Sequence, residues 1–295
     1  MVWRTVLQSW LQNAARENIR KKVAEAARAE FAGEATTEGE PRPEVPPCYA
    51  GFVFALGVES GGLEDLLEGS VLYQGHAFTA YEGGLKGRRV VLVRSGPGRH
   101  AAQKATELLI AGHRPEWVIS AGFCGALDPT LERFDIVMAE DLVDAHGRRL
   151  ATGLKADPSV RTRHVHFGRL LTVDQVVRLP SEKRALGEQH AALAVDMESL
   201  AVAEACRDAK TRFMAVRIVS DPVDEELPPD IQKLLEQSSR SAQLGAAMGA
   251  ILRRPGSFKD MYRLRENALV ASDRLAKFLV STLDQLSAAP PAALE

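Results

Sequence analysis

Gly51-Phe52-Val53-Phe54-Ala55-Leu56 is an unbroken apolar run of strand length, and a strand reads this way when both of its faces are buried. A chain holding such a strand needs layers on either side of a sheet. Further β-like runs occur at Val71–Tyr73, Ala77–Tyr81, Arg89–Arg94, Trp117–Ala121, Asp135–Val143, Gly168–Val173, Leu193–Val195 and Arg212–Val219. Helical patterns at His100–Ala111, Ser181–His190, Ser199–Asp208 and Asp230–Leu252 separate several of them. The alternation predicts an α/β fold with a mixed, mainly parallel central sheet flanked by helices.

The 295 residues suffice for one such core plus extensions. Val2, Trp3, Val6, Leu7, Trp10, Leu11 and Ala14 recur at helical spacing, so residues 1–31 predict an amphipathic N-terminal helix with a basic face. That stripe either packs on the core or a second subunit, or lies on a membrane surface as a peripheral contact. Residues 32–49, with four prolines and few large apolar side chains, predict a linker. Residues 50–288 follow as a single α/β domain closed by a long helix from Phe258 to about Leu286, and 289–295 as a frayed tail.

A formal charge of −2 offers no basic footprint for nucleic acid, so a small-molecule partner is expected. Cys48, Cys124 and Cys206 are widely spaced and form no CxxC pair, which predicts neither a disulfide framework nor a zinc site but a reducing, cytoplasmic setting. No apolar run reaches membrane-spanning length. His164-Val165-His166 would share one face of a strand, but no neighbouring carboxylate completes a metal set, so a solvated edge is expected. No G-x-S-x-G elbow supports acyl transfer.

Two acidic motifs carry the chemistry. Val195-Asp196-Met197-Glu198-Ser199 places a Met-Glu pair at the opening of a helix, and Ile218-Val219-Ser220-Asp221-Pro222 ends the next apolar strand in a Ser-Asp pair. Both fall at the rim of an α/β sheet where ligands bind. Such a pair suits cleavage of a sugar–base bond. A purine leaves well only when N7 takes a proton, which calls for an acid raised by burial or a like charge, and Asp221 is the candidate. Positive charge growing on the ribose is favoured by a carboxylate on its hydroxyls; Glu198 is the candidate, with Met197 beneath the sugar. Taken singly, either motif also reads as a helix-start acid or a turn. Ser95-Gly96-Pro97-Gly98-Arg99-His100 joins strand to helix and lets backbone approach a ligand, without completing a Walker or dinucleotide fingerprint. Ser120-Ala121-Gly122-Phe123-Cys124-Gly125 reads as a second small-residue loop after a strand.

Together these segments resemble the nucleoside phosphorylase superfamily, in particular its 5′-methylthioadenosine/S-adenosylhomocysteine nucleosidase branch, over most of residues 51 to 230. The resemblance implies a phosphorylase/hydrolase-like fold, no cofactor, and a homodimer. It assigns Glu59 to positioning and deprotonating the attacking water, Glu198 and Met197 to the ribose, and Asp221, supported by Ser220, to purine N7. Phosphorylases of the family place an arginine before the glycine loop and a serine within it, where this chain has Ser120 and Phe123; the resemblance therefore favours hydrolysis at the Gly122-Phe123 segment over phosphorolysis. The family's aromatic partner for the base is replaced by Val173-Asp174-Gln175-Val176-Val177, leaving backbone groups of Val177 to read the base edge. Residues 227–256 resemble hopanoid-biosynthesis-associated nucleosidases, which makes a lipid-linked adenosyl group the alternative substrate. A purine nucleoside phosphorylase and a non-catalytic nucleoside sensor are the remaining alternatives.

Overall fold

The computed structural model describes residues 47–74, 78–154, 163–229, 231 and 258–286. The expected N-terminal helix, most of the linker, the helical pattern at Asp230–Leu252 and the frayed tail lie outside the described residues. The linker expected over 32–49 stops short of its boundary. Cys48 is buried, its N–H bonds the His113 carbonyl, and Tyr49 N–H bonds that of Arg89, so both residues belong to the sheet body.

The elements in order are β1 (Ala50–Phe54), α1 (Gly57–Glu64), β2 (Glu68–Gln74), β3 (Thr79–Leu85), β4 (Arg88–Arg94), α2 (Arg99–His113), β5 (Trp117–Ala126) and β6 (Ile136–Asp144). They continue with β7 (Arg149–Ala151), β8 (Val165–Thr172), α3 (Pro180–His190), β9 (Ala194–Asp196), α4 (Ser199–Asp208), β10 (Arg212–Asp221) and α5 (Phe258–Leu286). All ten strands join one mixed sheet. β1 lies between β4 and β5, parallel to both, and β5 continues parallel to β10. Beyond β4 the sheet runs antiparallel through β3 to β2. On the other side β5, β10, β6, β8 and β9 pair in succession until β9 returns to β5, so these five strands close a ring.

Alternation along the central strands sorts their side chains into two layers. Phe52 and Phe54 of β1, Leu92 of β4, and Met214, Val216 and Ile218 of β10 face one way, onto Leu275, Leu279 and Leu283 of α5. Val53, Val91, Val93, Phe213, Ala215 and Val219 face the other, with Ala102, Ala105 and Leu109 of α2 and Leu200, Val202 and Ala203 of α4. Each fully buried leucine contributes roughly 1.5–3 kcal/mol of transfer free energy. Gly51 lets the α2 leucine lie against β1, since a Cβ there would stand 2.6 Å from Leu109 Cδ2 and displace that side chain.

Two expectations are corrected. The segment Ser120–Gly125, read as a loop, is strand: β5 runs on to Ala126 because β10 and β9 supply ladder partners along it. His164 and His166, expected on an edge without a carboxylate, both reach the buried Asp135, with His164 Nδ1 2.8 Å from Oδ1 and His166 Nε2 2.9 Å from Oδ2. That carboxylate precedes β6, and only the β6–β8 register brings it to the histidines. Among the described residues no cluster of three or more His, Cys, Asp or Glu side chains is placed to hold a metal, and no helix is long and apolar enough to cross a membrane.

α5 also steadies α1. Gly62 N–H donates to Ser272 Oγ at 2.9 Å, Ser272 Oγ lies 3.2 Å from the Glu59 carbonyl, and a Cβ on Gly62 would meet the Ser272 carbonyl oxygen at 2.8 Å. Gly62→Ala is therefore expected to push the helices apart and cost about 1–3 kcal/mol, read as a lower denaturation midpoint, whereas Gly61→Ala, whose Cβ meets nothing within 4 Å, should not.

Candidate active site

Glu59 sits in the first turn of α1, 6 % exposed. Its carboxylate is held from two directions. Oε2 accepts from Ala55 N–H (3.1 Å) and Leu56 N–H (2.8 Å), so it caps the start of its own helix. Oε1 accepts from Phe123 N–H of β5 at 2.9 Å. A side chain at Gly122 would place Cβ 2.8 Å from Oε1, so the strand admits the carboxylate only because residue 122 is glycine. Phe123 contributes its backbone here, while its ring packs toward the α5 layer. Burial pushes the Glu59 carboxyl up, opposed by the Phe123 and Leu56 N–H groups, by Arg217 and by Ala55 N–H.

Glu198 occupies the N-cap position of α4, and its carbonyl accepts Val202 N–H at 3.1 Å, but its side chain makes no capping bond to that helix. Asp196 performs that task instead, accepting Ser199 N–H at 3.0 Å. Glu198 turns to the Gly-Pro-Gly turn, where Oε1 accepts Gly98 N–H at 2.7 Å. Gly96 and Gly98 have φ of +81° and +95°, a backbone shape that a Cβ would strain. Burial, then the negative charges of Asp196 and Glu59, push the Glu198 carboxyl up to about 8, against the Gly98 N–H and Arg217. Met197, the residue before it, is half-buried.

Beneath these carboxylates lies a buried ion pair. Arg217 of β10, 2 % exposed, sets Nη2 2.7 Å from Asp196 Oδ2 and donates from Nη2 to Ser120 Oγ at 2.9 Å. Thr172 Oγ1 donates to the other Asp196 oxygen at 2.8 Å. Burial works against the Arg217 charge, but Asp196, Glu198 and Glu59 overcome it and hold the guanidinium protonated above its ordinary value.

Asp221 ends β10, 5 % exposed, after a register shift against β5 that falls between Val219 and Asp221. Its Oδ1 is 2.5 Å from Ser220 Oγ, and the same hydroxyl lies 3.1 Å from the Cys124 carbonyl. Oδ2 receives Lys183 Nζ at 2.5 Å. A Cβ on Gly125 would stand 3.0 Å from that oxygen. Burial pushes the Asp221 carboxyl up, opposed first by Lys183, then by Ser220 and Arg133. Glu59 and Asp221 thus lie against Gly122 and Gly125, three residues apart on β5, or roughly 10 Å along the strand.

The structure brings Glu59, Gly122, Phe123 and Glu198 together around Arg217, and sets Ser220 and Asp221 farther along β5, where Asp221 lies against Gly125. Val177 lies apart from these bonds, packed on the small cluster of Leu127, Val143, Leu171, Val173, Ala192 and Val195. Sequence reasoning passed over Arg217, Asp196 and Lys183. A charged residue inside an apolar strand, as in Val216-Arg217-Ile218, was a legible signal for the first. Lys183 carried none, since a lysine between Glu182 and Arg184 reads as solvated surface, yet it is the residue that α3 buries.

Comparison with known proteins shows what the chain is similar to. The sequence is 28 % identical over 213 residues to the 5′-methylthioadenosine/S-adenosylhomocysteine nucleosidase of Pseudoalteromonas translucida, covering 64 % of this chain and 91 % of that protein. It is 28 % identical over 186 residues to the enzyme of the same description from Tolumonas auensis, covering 55 % and 81 %. The fold is shared with the S-adenosylhomocysteine nucleosidase of Streptococcus pyogenes, solved with 5-methylthiotubericidin, at a TM-score of 0.61 and 20 % identity over 81 % of this chain and 98 % of that one. It is shared too with the 5′-methylthioadenosine/S-adenosylhomocysteine nucleosidase of Neisseria meningitidis, solved with methylthio-immucillin-A, at 0.58 and 22 % over 79 % and 99 %. The sequence profile of the Phosphorylase superfamily matches residues 51–252, and the chain belongs to that family.

Proposed function

We propose that this chain hydrolyses the N-glycosidic bond of an adenine nucleoside of the methylthioadenosine/S-adenosylhomocysteine type, releasing adenine. The observation that carries the reading is the seat of Glu59, a buried carboxylate gripped by three backbone N–H groups and facing a glycine. In this reading Glu59 takes the proton of a water that attacks C1′. Glu198 and Met197 hold the ribose, and Glu198 in its ionised form is worth most when positive charge has grown on the sugar. Asp221, kept in place by Ser220, protonates N7. Gly122 and Phe123 line the water side, and Val177 offers backbone to the base edge. The Arg217 guanidinium is already engaged by Asp196 and Ser120 with Glu59 and Glu198 around it, surroundings that disfavour a phosphate dianion. The names of the relatives above support the same reaction.

The assembly we propose is a homodimer. Val58 of α1, Leu66 just after it, and Leu269 and Val270 of α5 stand exposed on elements that pack on each other, an apolar surface of the kind that marks association.

Incubation with methylthioadenosine in phosphate buffer should release adenine and free sugar, and accumulation of sugar 1-phosphate would identify a phosphorylase. Glu59→Gln and Asp221→Asn should each lower kcat by about 10²–10⁴-fold; Asp221→Asn, which leaves the buried Lys183 ammonium without its carboxylate, should also lower the melting temperature, so both are assayed below their own transitions. Sedimentation should give twice the 32.1 kDa chain mass; a monomer removes the assembly proposal. The Glu198 carboxyl, at about 8 in the folded protein against an ordinary 4.5, keeps a proton that the unfolded chain releases. Its contribution to stability is full below about pH 4.5 and is lost as pH rises through 8. Glu198→Gln should flatten that decline in a series of thermal melts, and an unchanged slope would show that Glu198 ionises normally.

A further inference from the structure

Lys183 is 0 % exposed although it sits on an otherwise polar helix. An ammonium has three protons to donate, and all three have acceptors: Asp221 Oδ2 at 2.5 Å, the Glu225 carbonyl at 2.9 Å and the Pro222 carbonyl at 3.0 Å. Two of these acceptors belong to the turn that follows β10, and further bonds pin the same turn. Arg133 donates to the Ser220 carbonyl and the Glu225 carboxylate, and Arg178 to the Leu227 carbonyl at 3.1 Å. Lys183 is therefore not needed merely to fasten the turn. What it alone supplies is a proton-bearing cation in direct contact with the carboxyl group assigned to the leaving purine.

From this arrangement we infer that Lys183 and Asp221 share one proton and act as a single acid, with Lys183 as the positioning residue that reloads Asp221. The inference rests on the nucleoside-hydrolase reading above. In the step, a proton of the Lys183 ammonium moves to Asp221, and the neutral carboxylic acid passes it to purine N7. The C1′–N9 bond breaks with its electron pair going to the purine, the water oxygen bonds C1′, and the proton lost by that water goes to Glu59. One water is consumed. Lys183 ends neutral and Glu59 protonated, and exchange of one proton through solvent restores both. The other charged or titratable groups facing the pair are Arg133, which acts on Asp221 from the loop before β6, and Cys124 on β5, on which both Lys183 and Asp221 act.

The test is the pH profile of kcat for adenine release from methylthioadenosine by the full chain carrying Lys183→Met or Lys183→Gln. The glutamine keeps an amide donor for the Pro222 and Glu225 carbonyls if the methionine variant does not fold. A shared proton predicts that the alkaline limb moves to lower pH, because the variants lack the ammonium that reloads Asp221 and only a carboxyl already protonated can deliver a proton to N7. Activity should be about 100-fold below the parent above neutrality and approach it in acid, with KM little changed. A profile that overlays the parent would overturn the inference. So would an equal loss at every pH, which is what a misplaced Asp221 gives. Failure of the parent chain to release adenine, or full activity in Asp221→Asn, would instead strike the hydrolase reading itself.

Discussion

The contact between Arg217 and Asp196 makes the rest of the site affordable. Moving a carboxylate out of water costs several kcal/mol even after relaxation, and removing one partner of a buried pair is worse than never having built it. Here one guanidinium is set among Asp196, Glu198 and Glu59, and Asp196 is saturated by Arg217, Thr172 and the amide that opens α4. The pair is a neutral floor on which two further acids stand. Those two answer the surplus of negative charge by taking up protons more readily than exposed carboxylates do.

Glycine performs a second task that side-chain chemistry cannot. Gly122 and Gly125 of β5 leave room for carboxylates to lie against a strand, and Gly98 offers a bare N–H to another. Glu59 and Glu198 are thereby oriented by main-chain N–H groups, whereas Asp221 is held by the Ser220 and Lys183 side chains. The orientation is inherited from the sheet, and the sheet in turn is backed by α5, whose Ser272 touches both Gly62 and the Glu59 carbonyl.

Much of this was visible in the chain. Apolar runs and helical patterns located the central strands, and α4 at Ser199–Asp208 came out with the bounds expected of it. Glu198, just after β9, and Asp221, at the end of β10, were legible because a carboxylate next to a buried strand is rarely idle. The failures have a common cause. Ser120–Gly125 was misread because glycine carries no β propensity, although ladder partners far along the chain extend the strand through it. Asp135 and its two histidines meet only through strand register, and Lys183 becomes meaningful only once α3 is laid over the end of β10. In each case the deciding partner is remote in sequence.

The closed ring of β5, β10, β6, β8 and β9 has a consequence for how the molecule can loosen. A strand at a free edge detaches by giving up one ladder, but each member of this ring is bonded on both sides. β9 and β10, which carry Asp196, Arg217 and Asp221, are therefore unable to fray singly, and partial opening of the protein should begin at the β2 side, across the sheet from these three residues.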